Sequence, residues 1–557
     1  MIKKSNMKYI QIVLMVLSLF LSSCDYLDYD EKDYLLQEDI YSDLERVNSA
    51  LTGIYVALPS GFNQEGGAML ASASDDAVFA QDASSIHKYF NGAWGPAQTL
   101  DSKWSYFTAI RRANRLLEEV EKYQYEDRLY DKDPVYDVLM EELERKKFEA
   151  RTLRAFYYFE LAKRYGDIPL ILKTLTVEEA NSVSKNSFQE IIDFVVSECT
   201  AAAPNLPLSY QNEREKETGR VTRGAALAIK AKALLYAASP LHNASNNQQA
   251  WRDAAQAAYE VIDLGQYSLN SNYSSVFNNY NANNRELILE SREGPSNYFE
   301  RTNFPVGYVG GQSGNTPTQN LVDAYEMKAT GLAIDHPSSG YNPNNPYAGR
   351  DPRLAETVIY NGSNFKGQTV EVFEGGRNGS PLRYATETGY YLRKYVDQTI
   401  NLEIPNVTQK EHTWVLFRYA EVLLNYAEAM NEAYGPEDPA TFGMTALQAV
   451  NEIRARSSVS MPPFPSGMSK EEFRTKLRNE RRVELAFEAH RFWDIRRWKI
   501  AEETTNIYKM EVTNTGSSFT YTKELLETRP FESKMYLYPI PFSETVVNPN
   551  MIQNAGW

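Results

Sequence analysis

Asn479-Glu480-Arg481-Arg482-Val483-Glu484-Leu485-Ala486-Phe487-Glu488-Ala489-His490-Arg491-Phe492-Trp493-Asp494-Ile495-Arg496-Arg497-Trp498 is the stretch on which the reading of the fold turns. Val483, Ala486, Phe487, His490 and Trp493 recur at steps of three and four, which predicts one apolar helix face. Glu480, Glu484 and Glu488 recur at steps of four on another face. Arg481 and Arg491 stand three positions from Glu484 and Glu488, within pairing reach along one helix. Such dense alternating charge beside aromatics predicts a helix wedged between other elements rather than lying on water. The glutamate ladder also invites a carboxylate metal site. The Glu-x-x-His element of di-iron bundles is missing, however, so ion pairing inside a packed helix is the expectation.

Outward from this stretch, helical periodicity dominates. A helix is predicted from Asp43, capped by Ser42. Others follow over Ser102–Tyr123, Glu141–Tyr165, Phe188–Ala203, Thr222–Ala238, Trp251–Leu264, Trp414–Ala433 and Thr445–Arg456. Gly166 and Pro169 close the Glu141–Tyr165 helix, as suits a helix C-terminus. Ala-rich and Tyr-rich neighbours suggest tetratricopeptide-like helix pairs, in which small residues on one helix admit bulky rings from the next. The expected class is mainly α: an α-α superhelix scaffold of such pairs, with a loop-rich irregular region packed on it.

That irregular region spans 266–410, where Asn, Gly, Pro and Tyr crowd the chain. Short strand-like runs occur at Glu286–Glu290, Glu356–Tyr360 and Tyr390–Tyr395. A stretch of this length without strong helix is expected to be functional surface on a scaffold, and its aromatics argue against disorder.

Composition bounds the function. A net charge of −15 argues against a general nucleic-acid binder and against adhesion to anionic lipid through a basic surface. The 38 Tyr, 24 Phe and 7 Trp suit both helix packing and wet binding surfaces. With two cysteines, Cys24 and Cys199, neither a disulfide framework nor a Cys-based zinc site can be assembled. Cys199 reads as a small buried hydrophobe.

Lys3, Lys4 and Lys8 precede an apolar run, Ile10–Leu21, too short to span a membrane comfortably. Leu21-Ser22-Ser23-Cys24 looks like a bacterial lipobox. Residues 1–23 are therefore expected to be a signal peptide, and Cys24 the lipidated first residue of the mature chain. The acidic run Asp25–Asp33 lies within a tether, 24–40, and resembles a surface-export signal of Bacteroidetes lipoproteins. That similarity implies a cell outer membrane location, lipid-anchored and facing the exterior.

Ordered blocks then carry a closer resemblance. They are Trp104 with Ile110-Arg111-Arg112-Ala113-Asn114, Leu153-Arg154-Ala155-Phe156 with Tyr165-Gly166-Asp167-Ile168-Pro169, and Gly219-Arg220-Val221-Thr222-Arg223-Gly224-Ala225-Ala226. Arg350-Asp351-Pro352-Arg353-Leu354, Arg418–Leu424, Glu484–Glu488 with Arg491–Asp494, Tyr538-Pro539-Ile540-Pro541 and Asn548-Pro549 through Trp557 follow. In this order the chain resembles the SusD/RagB family of nutrient-binding outer-membrane lipoproteins. The resemblance implies an N-terminal helical region, 41–265, and a C-terminal region, 266–557. It also implies a SusC-like TonB-dependent transporter as partner, a glycan (in some relatives a peptide) as ligand, and no cofactor.

Carbohydrate sites use aromatic faces with polar neighbours, and these are expected in loops rather than on helix faces. The Gly61–Leu100 loop offers Asp75, Asp76, Tyr89, Phe90, Asn91 and Trp94; a second segment offers Tyr298, Phe299 and Tyr308. Trp94 and Asn91 are the leading candidates. Five scattered histidines, no Gly-x-Ser-x-Gly elbow and no Walker loop leave no catalytic residue and no metal ligand to name. A glycosidase, whose two acids leave no local signature, is the remaining enzymatic alternative.

Overall fold

The computed structural model of the chain describes residues 40–41, 44–122, 136–211, 217–277 and 284–557. The leader, Cys24, the tether up to residue 39 and Ser42 lie outside the described residues. The architecture is mainly α, as expected. Helices α1 (Leu44–Tyr55), α2 (Tyr106–Val120), α3 (Tyr136–Tyr165), α4 (Phe188–Ala202), α5 (Arg223–Ala238) and α6 (Gln248–Asp263) each pack on the next. The chain then leaves this stack for the irregular region, which holds the short α7 (Tyr298–Asn303). It returns at α8 (Tyr419–Ala433), which packs directly on α6 and is followed by α9 (Ala446–Arg454).

Local chemistry sets these helices. Ser187 and Thr445 form capping boxes with Glu190 and Gln448, and the Thr222 side chain accepts from Ala225 N. α3 ends where Gly166 takes φ 71°, a conformation glycine adopts without steric cost. Small residues do the packing work predicted for them. A Cβ on Gly224 would stand 2.1 Å from the Tyr267 hydroxyl, and Ala254, Ala255, Ala257 and Ala258 share one core with Leu423, Tyr426 and Met430. Cys199 is buried on α4, and burial pushes its thiol pKa up.

Six strands, β1 (Ala77–Phe79), β2 (Leu287–Ser296), β3 (Asn315–Pro317), β4 (Lys410–Arg418), β5 (Asn506–Asn514) and β6 (Phe519–Thr528), form antiparallel pairs. β1 pairs with β3, β2 with β4 and β5 with β6. Val358–Ile359 also pairs with Tyr391–Leu392, inside two of the strand-like runs read from sequence. Among the described residues no helix is long and apolar enough to cross a membrane.

Two sequence expectations are corrected. The opening stretch is not one helix: α10 (Lys470–Glu484) stops, and α11 (His490–Arg497) starts after a turn in which Phe487 and Ala489 take φ 59° and 62°. The charges therefore do not pair along one helix. Arg481 donates to Asp494 (2.8 Å), and Arg491 leaves for Asp75. Second, Trp414–Arg418 is strand rather than the start of a helix. Four successive residues from His412 to Val415 are buried, so no alternation distinguishes strand from helix there.

The glutamates instead collect arginines from across the chain. Glu484 accepts from Arg418 (2.7 Å), Arg456 (2.9 Å) and Arg353 (2.9 Å); Glu480 accepts from Arg353 and Arg454, each at 2.6 Å. Glu488 accepts from Lys394 (2.7 Å) and Arg418. Burial alone would raise these carboxyl pKa values, but the facing guanidiniums outweigh it and hold all three below the usual range. The Lys394 ammonium is pushed down to about 8 by burial, with Glu488 opposing. Because Arg353 and Lys394 belong to the irregular region, this buried network bolts that region to the helices.

Candidate functional site

The two loops singled out from sequence meet in space. β1 of the first pairs with β3, just beyond the second, and Ala80 N donates to Gly314 O at 2.9 Å. Asn315 Oδ1 accepts from Met69 N and Ser72 Oγ, both at 2.9 Å. From the end of β6 Arg529 Nη1 donates to the carbonyls of Ser72, Ser74 and Ala77.

Most of the proposed ligand residues turn out to hold these loops to the rest of the fold. Asp75 receives a bidentate pair from Arg491 (2.8 and 2.9 Å) and Asp76 accepts from Arg482 (2.8 Å), so both carboxylates anchor the loop to α10 and α11. Burial raises the Asp75 pKa, yet Arg482 and Arg491 together hold it well below the carboxylate range. Burial and the neighbouring Asp75 charge push Asp76 up. Tyr89 and Trp94 are 4% and 6% exposed, and their rings pack on each other and on Tyr538 (Trp94 also on Trp557, Tyr89 on Phe492). Phe299 packs on Phe62. These three rings present no face to a ligand, because aromatic area this large is buried wherever a core can take it.

Phe90 is half-buried beneath the Arg529 guanidinium, 4.2 Å from the ring centroid, and Asn91 is exposed with its Oδ1 occupied by Ala93 N. Tyr308 is half-buried, donating its hydroxyl to Phe365 O (2.9 Å). Tyr298, at 49% exposure, is the one candidate ring largely open to solvent.

Beside the junction opens a polar cleft of about 940 Å³. Its lip is Ala80–Ala83, which directly follows β1. One wall is the segment from Val372 to Gly389, and the floor is formed by residues 509–512 of β5. Gln81 Nε2 donates to Gln312 Oε1 (3.2 Å), tying the lip to the second loop, and Met510 N donates to Thr388 O (2.9 Å), tying floor to wall. Within the wall the Arg383 guanidinium lies over the Tyr384 ring, 4.5 Å from its centroid, and both line the hollow. Tyr384 holds φ 65°, the left-handed region that non-glycine residues avoid, a strain of about 1–3 kcal/mol that concentrates at functional sites. Lys509 bonds Glu511 (2.8 Å), and that bond raises its pKa.

This cleft was not assigned from sequence. Its wall falls in the 266–410 region flagged as functional surface, but Arg383 and Tyr384 belong to no periodic pattern. The available signal was Gly375-Gly376 and Pro381, punctuation that fixes a loop's shape. In chemical terms the cleft offers an aromatic surface, carboxylate and amide acceptors and one guanidinium lying over a ring. It holds no nucleophile–base pair of the Ser–His or Cys–His kind, and the described residues contain no cluster of three or more metal-ligating side chains.

Comparison with known proteins bears on this geometry. The family described as "SusD family" matches residues 264–557, and that described as "Starch-binding associating with outer membrane" matches residues 25–235. A SusD-like protein of Formosa agariphila is 26% identical over 424 residues, covering 73% of this chain and 71% of its own length. A crystal structure of a SusD-like protein from Bacteroides fragilis superposes with TM-score 0.77 at 28% identity, over 94% of this chain and 99% of that one. A second Bacteroides fragilis structure, described as a SusD-like carbohydrate binding protein, gives TM-score 0.75 at 29% identity, over 92% of this chain and 100% of that one.

Proposed function

The chain belongs to the SusD family, and on that premise we propose that it captures oligosaccharide in the cleft walled by Tyr384 and passes it, uncleaved, to a SusC-like TonB-dependent transporter. The observation that carries this reading is the cleft itself. Its volume of about 940 Å³ lies in the range of small-molecule sites, and its lining mixes an aromatic ring with polar groups. A sugar offers both C–H faces for a ring and hydroxyls for carboxylates and amides. The carbohydrate-binding description of a 29% identical relative supports the ligand class.

In the same reading Cys24 carries the lipid, and the acidic segment after it is a solvated tether on the outer face of the outer membrane. Capture then needs neither cofactor nor metal. Tyr298, exposed beside the junction, extends the contact surface toward longer ligands.

The test is retention of the purified chain in gels containing single polysaccharides, with oligopeptides as competitors. Tyr384→Ala should weaken binding by about 1.5 kcal/mol, roughly tenfold. Prolonged incubation should release no reducing ends. Retention untouched by Tyr384→Ala would sink the cleft assignment, competition by oligopeptides would replace the ligand class, and product release would replace capture with hydrolysis.

A further inference from the structure

We propose that the cleft takes uncharged oligosaccharides and excludes sulfated and uronic-acid glycans, an inference that rests on the saccharide-capture reading above. The argument is the balance of charge on the walls. Asp82, Glu374 and Glu387 line the cleft and are exposed, and among the described residues none of them forms an ion pair. Of the two cations on the walls, Lys509 is spent between Glu511 (2.8 Å) and Glu524 (3.3 Å). Arg383 is left, and its guanidinium lies over the Tyr384 ring. Three uncompensated carboxylates thus share the lining of the cleft with one guanidinium, on a chain whose net charge is already −15.

The same groups act in opposite ways on the two ligand classes. A neutral sugar gives hydroxyl donors to carboxylates, and hydrogen bonds to a charged acceptor are roughly twice as strong as neutral ones. A sulfate or ionised carboxylate group has no donor to give. Placed about 4 Å from one carboxylate in water it loses roughly fivefold in affinity, and more as water leaves the cleft. A concave wall also focuses the field, so the repulsion begins before contact.

The experiment uses a matched pair: whichever neutral polymer (laminarin, starch or galactomannan) retains the full chain in a gel, and the same polymer after chemical sulfation. Sulfation should weaken retention at least about tenfold at about 20 mM salt and much less at about 500 mM, where the field is screened. The triple variant Asp82→Asn/Glu374→Gln/Glu387→Gln should recover most of that loss at low salt. If the sulfated polymer binds as well as the parent, or the triple variant recovers nothing, the inference is overturned and capture stands. Retention by alginate or polygalacturonate that Tyr384→Ala abolishes also overturns it while leaving capture intact. Retention by no polymer of either kind removes the capture reading, and this inference with it.

Discussion

Asp75→Asn keeps the shape of a side chain that is 4% exposed and removes the charge that Arg491 and Arg482 share. Were Asp75 a ligand contact, as its loop position suggests, the substitution would change binding and leave the fold alone. In the structure it is an anchor, and removing one partner of a buried ion pair costs about 3–5 kcal/mol. If the chain unfolds as one unit, an unfolding entropy of about 2.1 cal/mol/K per residue turns that into a Tm lower by about 3–4 °C. If the loop opens by itself, the cost appears locally. Amides held by the junction, such as Ala80 N on Gly314 O and Thr318 N on Asp76 O, should exchange with deuterium at least about 150-fold faster, while amides within α6 stay unchanged. The folded pKa of Asp75 is depressed. Its stabilisation is therefore present above the ordinary aspartate value near 4, and is lost as pH falls through the lower folded value. The gap between wild type and variant should accordingly close below about pH 4. Unchanged Tm together with unchanged exchange over residues 70–83 would refute the anchoring role.

Two further outcomes follow from the same structure. Glu484→Gln leaves Arg353, Arg418 and Arg456 under-compensated, so calorimetry at pH 7 should show a loss of about 3–5 kcal/mol. The depressed pKa of Glu484 makes that loss shrink as pH drops below about 4.5, and a variant as stable as wild type at pH 7 would contradict the network's role. Trp94→Ala empties a site ringed by Tyr89, Tyr538 and Trp557 and should cost about 3–5 kcal/mol, with polysaccharide retention by the folded fraction unchanged. A stable Trp94→Ala chain that no longer binds would return Trp94 to the ligand site.

The helix pairs were legible because a period of 3.6 and runs of small residues are written locally. The break at Leu485–Ala489 was not, since neither glycine nor proline marks it. Phe487 and Ala489 adopt positive φ because the distant partners Arg418, Lys394 and Asp75 require Glu488 and Arg491 to diverge. The β5–β6 hairpin was missed although Ile507, Met510 and Val512 are buried between exposed or half-buried neighbours and Thr515-Gly516-Ser517 supplies a turn. At the site, sequence pointed to two loops for a chemical reason, the search for aromatics outside helices, and the structure brings those loops together. It named Trp94 by its place in the first loop, and nothing local in the sequence reveals that Tyr89, Tyr538 and Trp557 enclose that ring.

The direct packing of α6 on α8 has an evolutionary consequence. The chain can depart after Leu264 and come back at Tyr419 without a gap in the stack, and β2 pairing with β4 closes the two ends of the excursion like a clasp. Loop-closure cost rises only slowly with length, so once the clasp is made and Arg353 and Lys394 keep their glutamates, the rest of the excursion can lengthen, shorten or be rewritten at little expense to the stack. The cleft wall sits inside that excursion. The wall's share of the proposed ligand preference is then a replaceable cassette: exchanging a relative's stretch for residues 372–389 should shift specificity while the lip, the floor and the helices stay as they are.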